Sequence, residues 1–269
     1  MSIHIYTEMN IMRNKYYIVR YGDFATNGNA KFSYGLFATM LCIDDYRAKN
    51  SIDCATIAIG SSILWTIVEV YLHTSKTRII KPMWLGFKNT PNMQITLPPI
   101  LGATLQGIQE GGVITALGLY YGDRIYNPTT IIRLHIFITI VILNVCIRNT
   151  PDTNKLSKRQ INTTGSMLFI GSVTLFDIIM LWRHPEHAYR QLNMVLVMIY
   201  ICAWWTFIAW FRGFRSVEVQ VQKQQNNCDI DNAYYTKPIT IFDTLMILGY
   251  DVIFEVGAAY LFFYNIFLI

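Results

Sequence analysis

The chain has 269 residues, of which 53% are hydrophobic and only 14% are charged. An average soluble domain carries about 25% charged residues, so this composition argues against a soluble fold. The net charge of +5 does not indicate nucleic-acid binding, because the basic residues flank apolar segments and form no basic–aromatic surface module. The apolar segments are long enough to cross a hydrocarbon core, so we predict an all-α fold, a polytopic transmembrane helical bundle of about six spans.

The first element is an N-terminal tail, residues 1–54, which precedes the predicted bundle of residues 55–269. The tail contains a short apolar segment, residues 32–43, that is too short to cross a bilayer alone. It fits a re-entrant or interfacial segment, a helix packed on the bundle outside the membrane, or part of a seventh crossing. No apolar core precedes it, so we expect an internal span to direct membrane insertion.

Six apolar segments follow, each bounded by charged or turn-forming residues. They cover residues 55–73, 97–121, 130–147, 164–182, 191–211 and 239–269. The last of these is long enough to tilt or to break. The longest loop, residues 212–237, is rich in Gln and Asn and is predicted to have no apolar period.

Basic residues are concentrated in the odd-numbered loops of this bundle, which the positive-inside rule places in the cytoplasm. Loops one, three and five hold twelve of them: Lys76, Arg78, Lys81, Lys88, Arg148, Lys155, Lys158, Arg159, Arg212, Arg215, Lys223 and Lys237. The even-numbered loops and their flanks hold only Arg124, Arg133, Arg183 and Arg190. Six spans would put the basic tail on the other side, and a seventh crossing at residues 32–43 would remove that conflict.

Acidic residues inside the predicted spans are the most informative feature of the sequence. Six of the 17 acidic residues lie there: Glu69, Glu110, Asp177, Asp243, Asp251 and Glu255. An ionised carboxylate in hydrocarbon costs several kcal/mol, so such residues face the bundle interior, water or a cation.

Glu110 lies near the middle of the second span, and Gln106 lies one helical turn before it on the same face. Small residues recur at four-residue intervals in this span: Ala103, Gly107 and Gly111, then Gly118 and Gly122. Such spacing lets another helix approach closely. The span is therefore predicted to be central, with Glu110 either a proton or cation site or a hydrogen-bonded structural acid. The same glycines also offer a contact for an oligomer or a membrane-complex partner.

Two further groups of acids have helical spacing. Glu69 lies one turn before His73, so these residues either share a proton or metal or form an interfacial ion pair. Asp251 and Glu255 are stacked on one face of the last span and need a shared proton, a cation or a base from another helix. Asp243 is expected to cap the start of that span near Thr240. Asp177 stands alone.

Metal-binding patterns are weak. His184 and His187 form an HxxH turn without a third ligand, and His73 is the other candidate, so metal and cofactor stay unassigned. Cys146 and Cys202 lie inside predicted spans and are expected to be small packing residues.

Three functions fit these features. The first is translocation of a proton, cation or small polar solute along the buried polar residues Glu69, Gln106, Glu110, Asp177, Asp251 and Glu255. The second is an intramembrane enzyme acting on a lipid or isoprenoid, with the same acids and His73 or His135 as general acid and base or as metal ligands. The third is a structural or assembly subunit whose buried acids only hold helices together. The lipid bilayer is the one partner that the sequence predicts.

Overall fold

The computed structural model describes residues 14–21, 26–79, 81–87, 93–148, 150–151, 156–222, 234–237 and 239–269. This part of the chain is a bundle of seven helices with a small β-sheet at one end, which confirms the predicted all-α bundle. Of the basic loop residues named above, Lys88, Lys155 and Lys223 lie outside the described residues.

Six of the seven helices lie over the six predicted apolar segments, and the first helix covers the shorter apolar segment of the tail. They are α1 (Gly28–Lys49), α2 (Asp53–Thr74), α3 (Pro99–Gly122), α4 (Pro128–Arg148), α5 (Thr164–Arg183), α6 (Ala188–Phe211, preceded by a 3-10 turn at Pro185–His187) and α7 (Ile241–Leu268). Five of them, α2 and α4 to α7, are long and apolar enough to cross a membrane. They expose large aliphatic side chains, among them Ile59, Ile63 and Ile67 of α2. The chain is therefore a membrane protein.

Helices α3 and α7 each contain a π-helical segment. In α3 it spans Ile108–Val113, and in α7 it spans Tyr250–Glu255. Both segments follow a nine-residue α-helical stretch, Pro99–Gly107 in α3 and Ile241–Gly249 in α7. π-Segments are frequent at functional sites, and these two carry three of the acids predicted from the sequence.

The short apolar segment of the tail, residues 32–43, is the central part of helix α1. Its 22 residues extend about 33 Å at 1.5 Å per residue. Near its start Lys31 contacts Gln106 of α3, and at its end Lys49 contacts Asp123, just after α3. Helix α1 therefore runs parallel to α3 along its whole length, but it is not among the five helices that are apolar enough to cross a membrane.

The sheet collects strands from the N-terminal tail and from the three odd-numbered loops. Its strands are β1 (Lys15–Tyr21), β2 (Arg78–Ile79), β5 (Leu156–Gln160), β6 (Arg215–Gln222) and β7 (Tyr234–Lys237), and their order is β2-β5-β1-β6-β7 with antiparallel pairing throughout. Strands β3 (Trp84–Leu85) and β4 (Ile95–Thr96) form a separate pair. The tail and the odd-numbered loops thus lie at one end of the bundle, here called the sheet end, and the even-numbered loops lie at the far end.

The prediction of an unpatterned loop at residues 212–237 is wrong over residues 215–222, which form strand β6. Here Val217, Val219 and Val221 alternate with polar residues, which is the period of a half-buried strand. The strand is only eight residues long and more than half of its residues are polar. Its composition therefore resembles that of the polar loop around it.

One face of the sheet packs against the helices and carries four arginines. Arg20 of β1 is directly opposite Arg215 of β6, and Arg78 of β2 is directly opposite Arg159 of β5. Ile18 and Val217 share this face and are buried. Like charges directly opposite one another in a sheet repel, so this arrangement requires anions from the helices.

Helix α3 is the centre of the bundle, as its small residues predict. A Cβ atom added at Gly111 would lie 2.4 Å from the main-chain oxygen of Ser61 in α2. On the opposite side, a Cβ atom at Gly122 would lie 2.9 Å from the main chain of Met194 in α6. The predicted close helix approach is confirmed, and both glycine faces contact helices of the same chain.

Candidate functional site

The sheet arginines meet helix carboxylates in one layer near the sheet end, here called the charge layer. It consists of Arg20, Arg78, Arg159 and Arg215 from the sheet, with Glu69 from α2, Glu110 from α3, and Asp251 and Glu255 from α7. Four of the six acids singled out from the sequence are therefore brought together.

Glu110 has donors on both carboxylate oxygens. Arg20 lies 3.1 Å from Oε1, and Arg78 lies 3.1 Å from Oε2. The indole Nε1 of Trp65 donates to Oε2 at 3.1 Å. The main-chain oxygen of Glu110 lies in the π-segment of α3 and accepts a hydrogen bond from the hydroxyl of Tyr260 in α7. Glu110 thus joins the sheet, α2 and α7.

Arg78 bridges two carboxylates. Its Nη1 atom lies 2.7 Å from Glu69 Oε2 and 3.1 Å from Glu110 Oε2, and the arginine and Glu69 side chains are almost fully buried. Burial alone would lower the pKa of Arg78, but the charges of Glu110 and Glu69 outweigh it and raise the pKa, so the guanidinium stays charged. His73 Nε2 also lies 3.2 Å from Glu69 Oε1. The ion-pair interpretation of Glu69 is therefore correct, with Arg78 as its main partner.

The stacked acids of α7 are separated by an arginine from the sheet. Arg159 contacts Asp251 and lies 2.5 Å from Glu255 Oε2. Arg215 pairs with the other oxygen of Asp251 and donates to Thr206 Oγ1 at 2.7 Å. Of the three alternatives, a shared proton, a cation or a base from another helix, the structure shows bases, and they come from strands.

Lys31 of α1 adds a fifth basic group beside the layer. Its ammonium donates to Gln106 Oε1 and to Gln109 Oε1, both at 2.6 Å, and the residue is buried. Gln106 thus accepts a hydrogen bond from a buried lysine. With Lys31 included, five basic groups face four carboxylates, so the layer carries an excess of one positive charge.

Some side chains of the charge layer are only partly buried. The side chains of Arg20 and Glu110 remain 25% and 17% exposed, whereas those of Arg78 and Glu69 are 3% and 1% exposed. Arg20 and Glu110 are therefore only partly buried within the charge layer.

Asp177 lies apart from this layer, in a second buried polar group near the far end. Its Oδ1 atom accepts a hydrogen bond of 2.8 Å from Asn265 Nδ2 of α7, and Asn265 Oδ1 accepts one of 2.8 Å from Gln191 Nε2 of α6. All three residues are at most 3% exposed. Within the described residues, Asp177 Oδ2 and Gln191 Oε1 are buried without a hydrogen-bond partner, and Asp177 has no basic partner.

A tyrosine–histidine pair lies near this group at the far end. Tyr264 is fully buried next to Asn265, and its hydroxyl lies 3.0 Å from Nδ1 of the half-buried His187. The other histidine of the HxxH turn, His184, contacts Glu186 instead at 3.3 Å. Among the described residues, no three His, Cys, Asp or Glu side chains are grouped as metal ligands would be.

The expectation that Asp243 caps the last span is wrong, because the capping residue is Thr240. Asp243 follows Thr240, whose hydroxyl accepts the Asp243 main-chain N–H at 3.0 Å and caps helix α7. Asp243 is exposed and takes no part in either polar group.

The four sheet arginines are the residues of the charge layer that the sequence did not predict. Arg78, Arg159 and Arg215 were interpreted as loop charges, and Arg20 as part of the basic tail. Residues 216–222 alternate between polar residues and valine, which predicts a strand with two different faces, but Arg215 and residues 15–21 do not follow that alternation. The chain matches no family model, no curated protein and no solved structure, so the arrangement of its side chains is the basis for assigning a function.

Proposed function

We propose that the chain translocates protons across a membrane, alone or together with a small polar solute, and that Asp177 is the residue that exchanges the proton. The observation that carries this proposal is a buried carboxyl group that has one neutral amide partner and, in the described part of the chain, one oxygen without a hydrogen-bond partner.

The physical reason lies in the cost of an unpaired charge. An ionised carboxylate that is buried in a bundle without a cation costs several kcal/mol, so such a group binds a proton or a cation. The free Oδ2 atom of Asp177 is the position for it. The carboxylates of the charge layer differ, because arginines already neutralise them.

Helix α7 supports a polar route between the two ends. It carries Asp251 and Glu255 in the charge layer, Tyr260 above Glu110, and Tyr264 and Asn265 beside the Asp177 group. On this proposal, the proton reaches Asp177 from the far end past His187 and Tyr264. The partly exposed side chains of Arg20 and Glu110 mark the other end of the route.

The test is proton flux into liposomes that contain the purified chain, followed with a pH-sensitive dye under an imposed potential. We expect Asp177→Asn to abolish the flux and Asp177→Glu to retain part of it. The matched control is Asp243→Asn, which changes an exposed acid of α7 and leaves the flux unchanged. Equal flux in wild type and Asp177→Asn would overturn the proposal.

We further propose that the sheet end faces the cytoplasm, because all three basic odd-numbered loops and strand β1 gather there. Single cysteines introduced at Thr74, at the sheet end, and at Glu186, at the far end, test this in a chain whose native cysteines are replaced by serine. In intact cells an impermeant maleimide should label only the Glu186→Cys variant. Labelling of Thr74→Cys alone would reverse the orientation.

A further inference from the structure

A cavity of about 460 Å³ opens at the far end, where α3 ends and α4 begins. Its lining includes Tyr120, Tyr121, Arg124, Tyr126, Thr130 and Arg133. We infer that this cavity binds the phosphate group of an anionic phospholipid. This inference is independent of the proton-translocation proposal, since no residue of the Asp177 group lines the cavity.

Three acids near the cavity are already paired with cations. Asp123, which also lines it, accepts hydrogen bonds from Arg190 at both oxygens and from Lys49 at one of them, at 2.6–2.8 Å. Asp45 pairs with Arg124 at 2.7 Å, and Arg190 reaches Asp53 at 2.7 Å. A fourth acid, Asp44, does not line the cavity and accepts a hydrogen bond of 2.6 Å from the hydroxyl of Tyr120.

Arg133 is a further cation at the cavity, and it takes no part in these ion pairs. It lies in the second turn of α4, lines the cavity and is exposed. Within the described part of the chain its guanidinium has no acidic partner. A guanidinium is the preferred partner of a phosphate, because two of its N–H groups match two phosphate oxygens. The neighbouring Arg124 is held over the ring of Tyr120, 3.8 Å from its centroid, and its charge is paired with Asp45.

The exposed apolar and aromatic side chains beside the cavity favour a lipid as the ligand. Ile132 and Ile136, next to Arg133 on α4, are 58% and 51% exposed and form a surface for acyl chains. Tyr126 is 70% exposed and stacks on Tyr189, as aromatic residues do at the membrane–water interface. A ligand with a phosphate in the cavity and hydrocarbon along α4 satisfies both features.

Native mass spectrometry of the full chain in detergent, titrated with phosphatidylglycerol, tests the inference. We expect Arg133→Gln to weaken lipid binding about tenfold, as loss of one bidentate charge-assisted contact predicts. Thr130→Tyr, which fills the cavity and keeps every charge, should weaken it as well. The matched control Arg183→Gln removes an exposed arginine at the same end and should change binding less than about twofold.

Three results would overturn the inference. Binding by Arg133→Gln equal to wild type would show that the cavity is not the site. Equal losses in Arg133→Gln and Arg183→Gln would indicate unspecific attraction to the surface. Full competition by soluble glycerol phosphate would identify a phosphate ester, and not a lipid, as the ligand. Circular dichroism of each variant checks that the helices are intact.

Discussion

The charge layer and the Asp177 group contain the same chemical element, a carboxyl group buried among membrane helices, in opposite electrostatic settings. In the charge layer every carboxylate lies within ion-pair distance of an arginine from the sheet. Among the described residues, Asp177 has only a hydrogen bond from an asparagine. A carboxylate that is paired with a cation keeps its charge and holds helices together, whereas an unpaired one changes its charge when it binds a proton. Under the proposed function, the first region holds the bundle together and the second exchanges the proton.

The largest effect is expected from Arg78→Met in the charge layer. It leaves Glu69 and Glu110 without their shared cation, and breaking a buried ion pair in this way costs about 3–5 kcal/mol of unfolding free energy. Denaturation in mixed micelles measures it. The double variant Arg78→Met/Glu69→Gln should recover part of the loss, and the exposed Arg47→Met is the control. A stable single variant would remove the structural role of the layer.

The second prediction compares one acid from each region. Glu110→Gln should lower the free energy of unfolding by about 2 kcal/mol, because Arg20 loses its ion-pair partner. Asp177→Asn removes no ion pair and should change it by less than about 1 kcal/mol. The same denaturation experiment measures both variants. Equal losses would mean that the two regions do not differ as described.

The third prediction tests how the charge layer is positioned. Gly111→Ala should cost about 1–3 kcal/mol, since its Cβ atom would lie 2.4 Å from the main-chain oxygen of Ser61 and push α2 from α3. Gly171→Ala in α5 is the matched control, because nothing lies within 4 Å of its Cβ position. Thermal unfolding of the two variants in detergent separates the effects. Equal melting temperatures would show that the close approach is not needed.

The smallest effect concerns Asp123, a far-end acid that has cations. Burial alone would raise its pKa, but hydrogen bonds from Arg190 and Lys49 outweigh it and hold the pKa below the ordinary value. Its stabilising contribution is therefore complete above about pH 4 and is lost as the pH falls through the lowered pKa. Melting temperatures measured between neutral and acidic pH should fall less steeply for Asp123→Asn than for wild type. Identical pH profiles would contradict this.

Much of the bundle follows from the sequence, because long apolar segments and small residues at four-residue spacing have few other solutions. The apolar segments and the central position of α3 are of this kind. The sheet is different. Its strands come from the tail and three loops, and their pairing depends on contacts far apart in the chain.

The roles of the acids could not be predicted from the sequence either, because they depend on residues that are distant in the chain. Helical spacing places Asp251 and Glu255 on one face, but it does not reveal that Arg159 of a distant loop lies between them. The sequence singles out Glu110 as a proton or cation site, whereas Asp177 stands alone in its span. The cations that pair with Glu110 come from the sheet, at separations of 32 and 90 residues for Arg78 and Arg20.

Infrared spectroscopy tests the central claim most directly, because the C=O stretch of a protonated carboxyl group is distinct from the bands of a carboxylate. At neutral pH the account predicts one such band from the membrane interior in wild type, its loss in Asp177→Asn, and its persistence in Glu110→Gln. A band that survives in Asp177→Asn and disappears in Glu110→Gln would contradict the account.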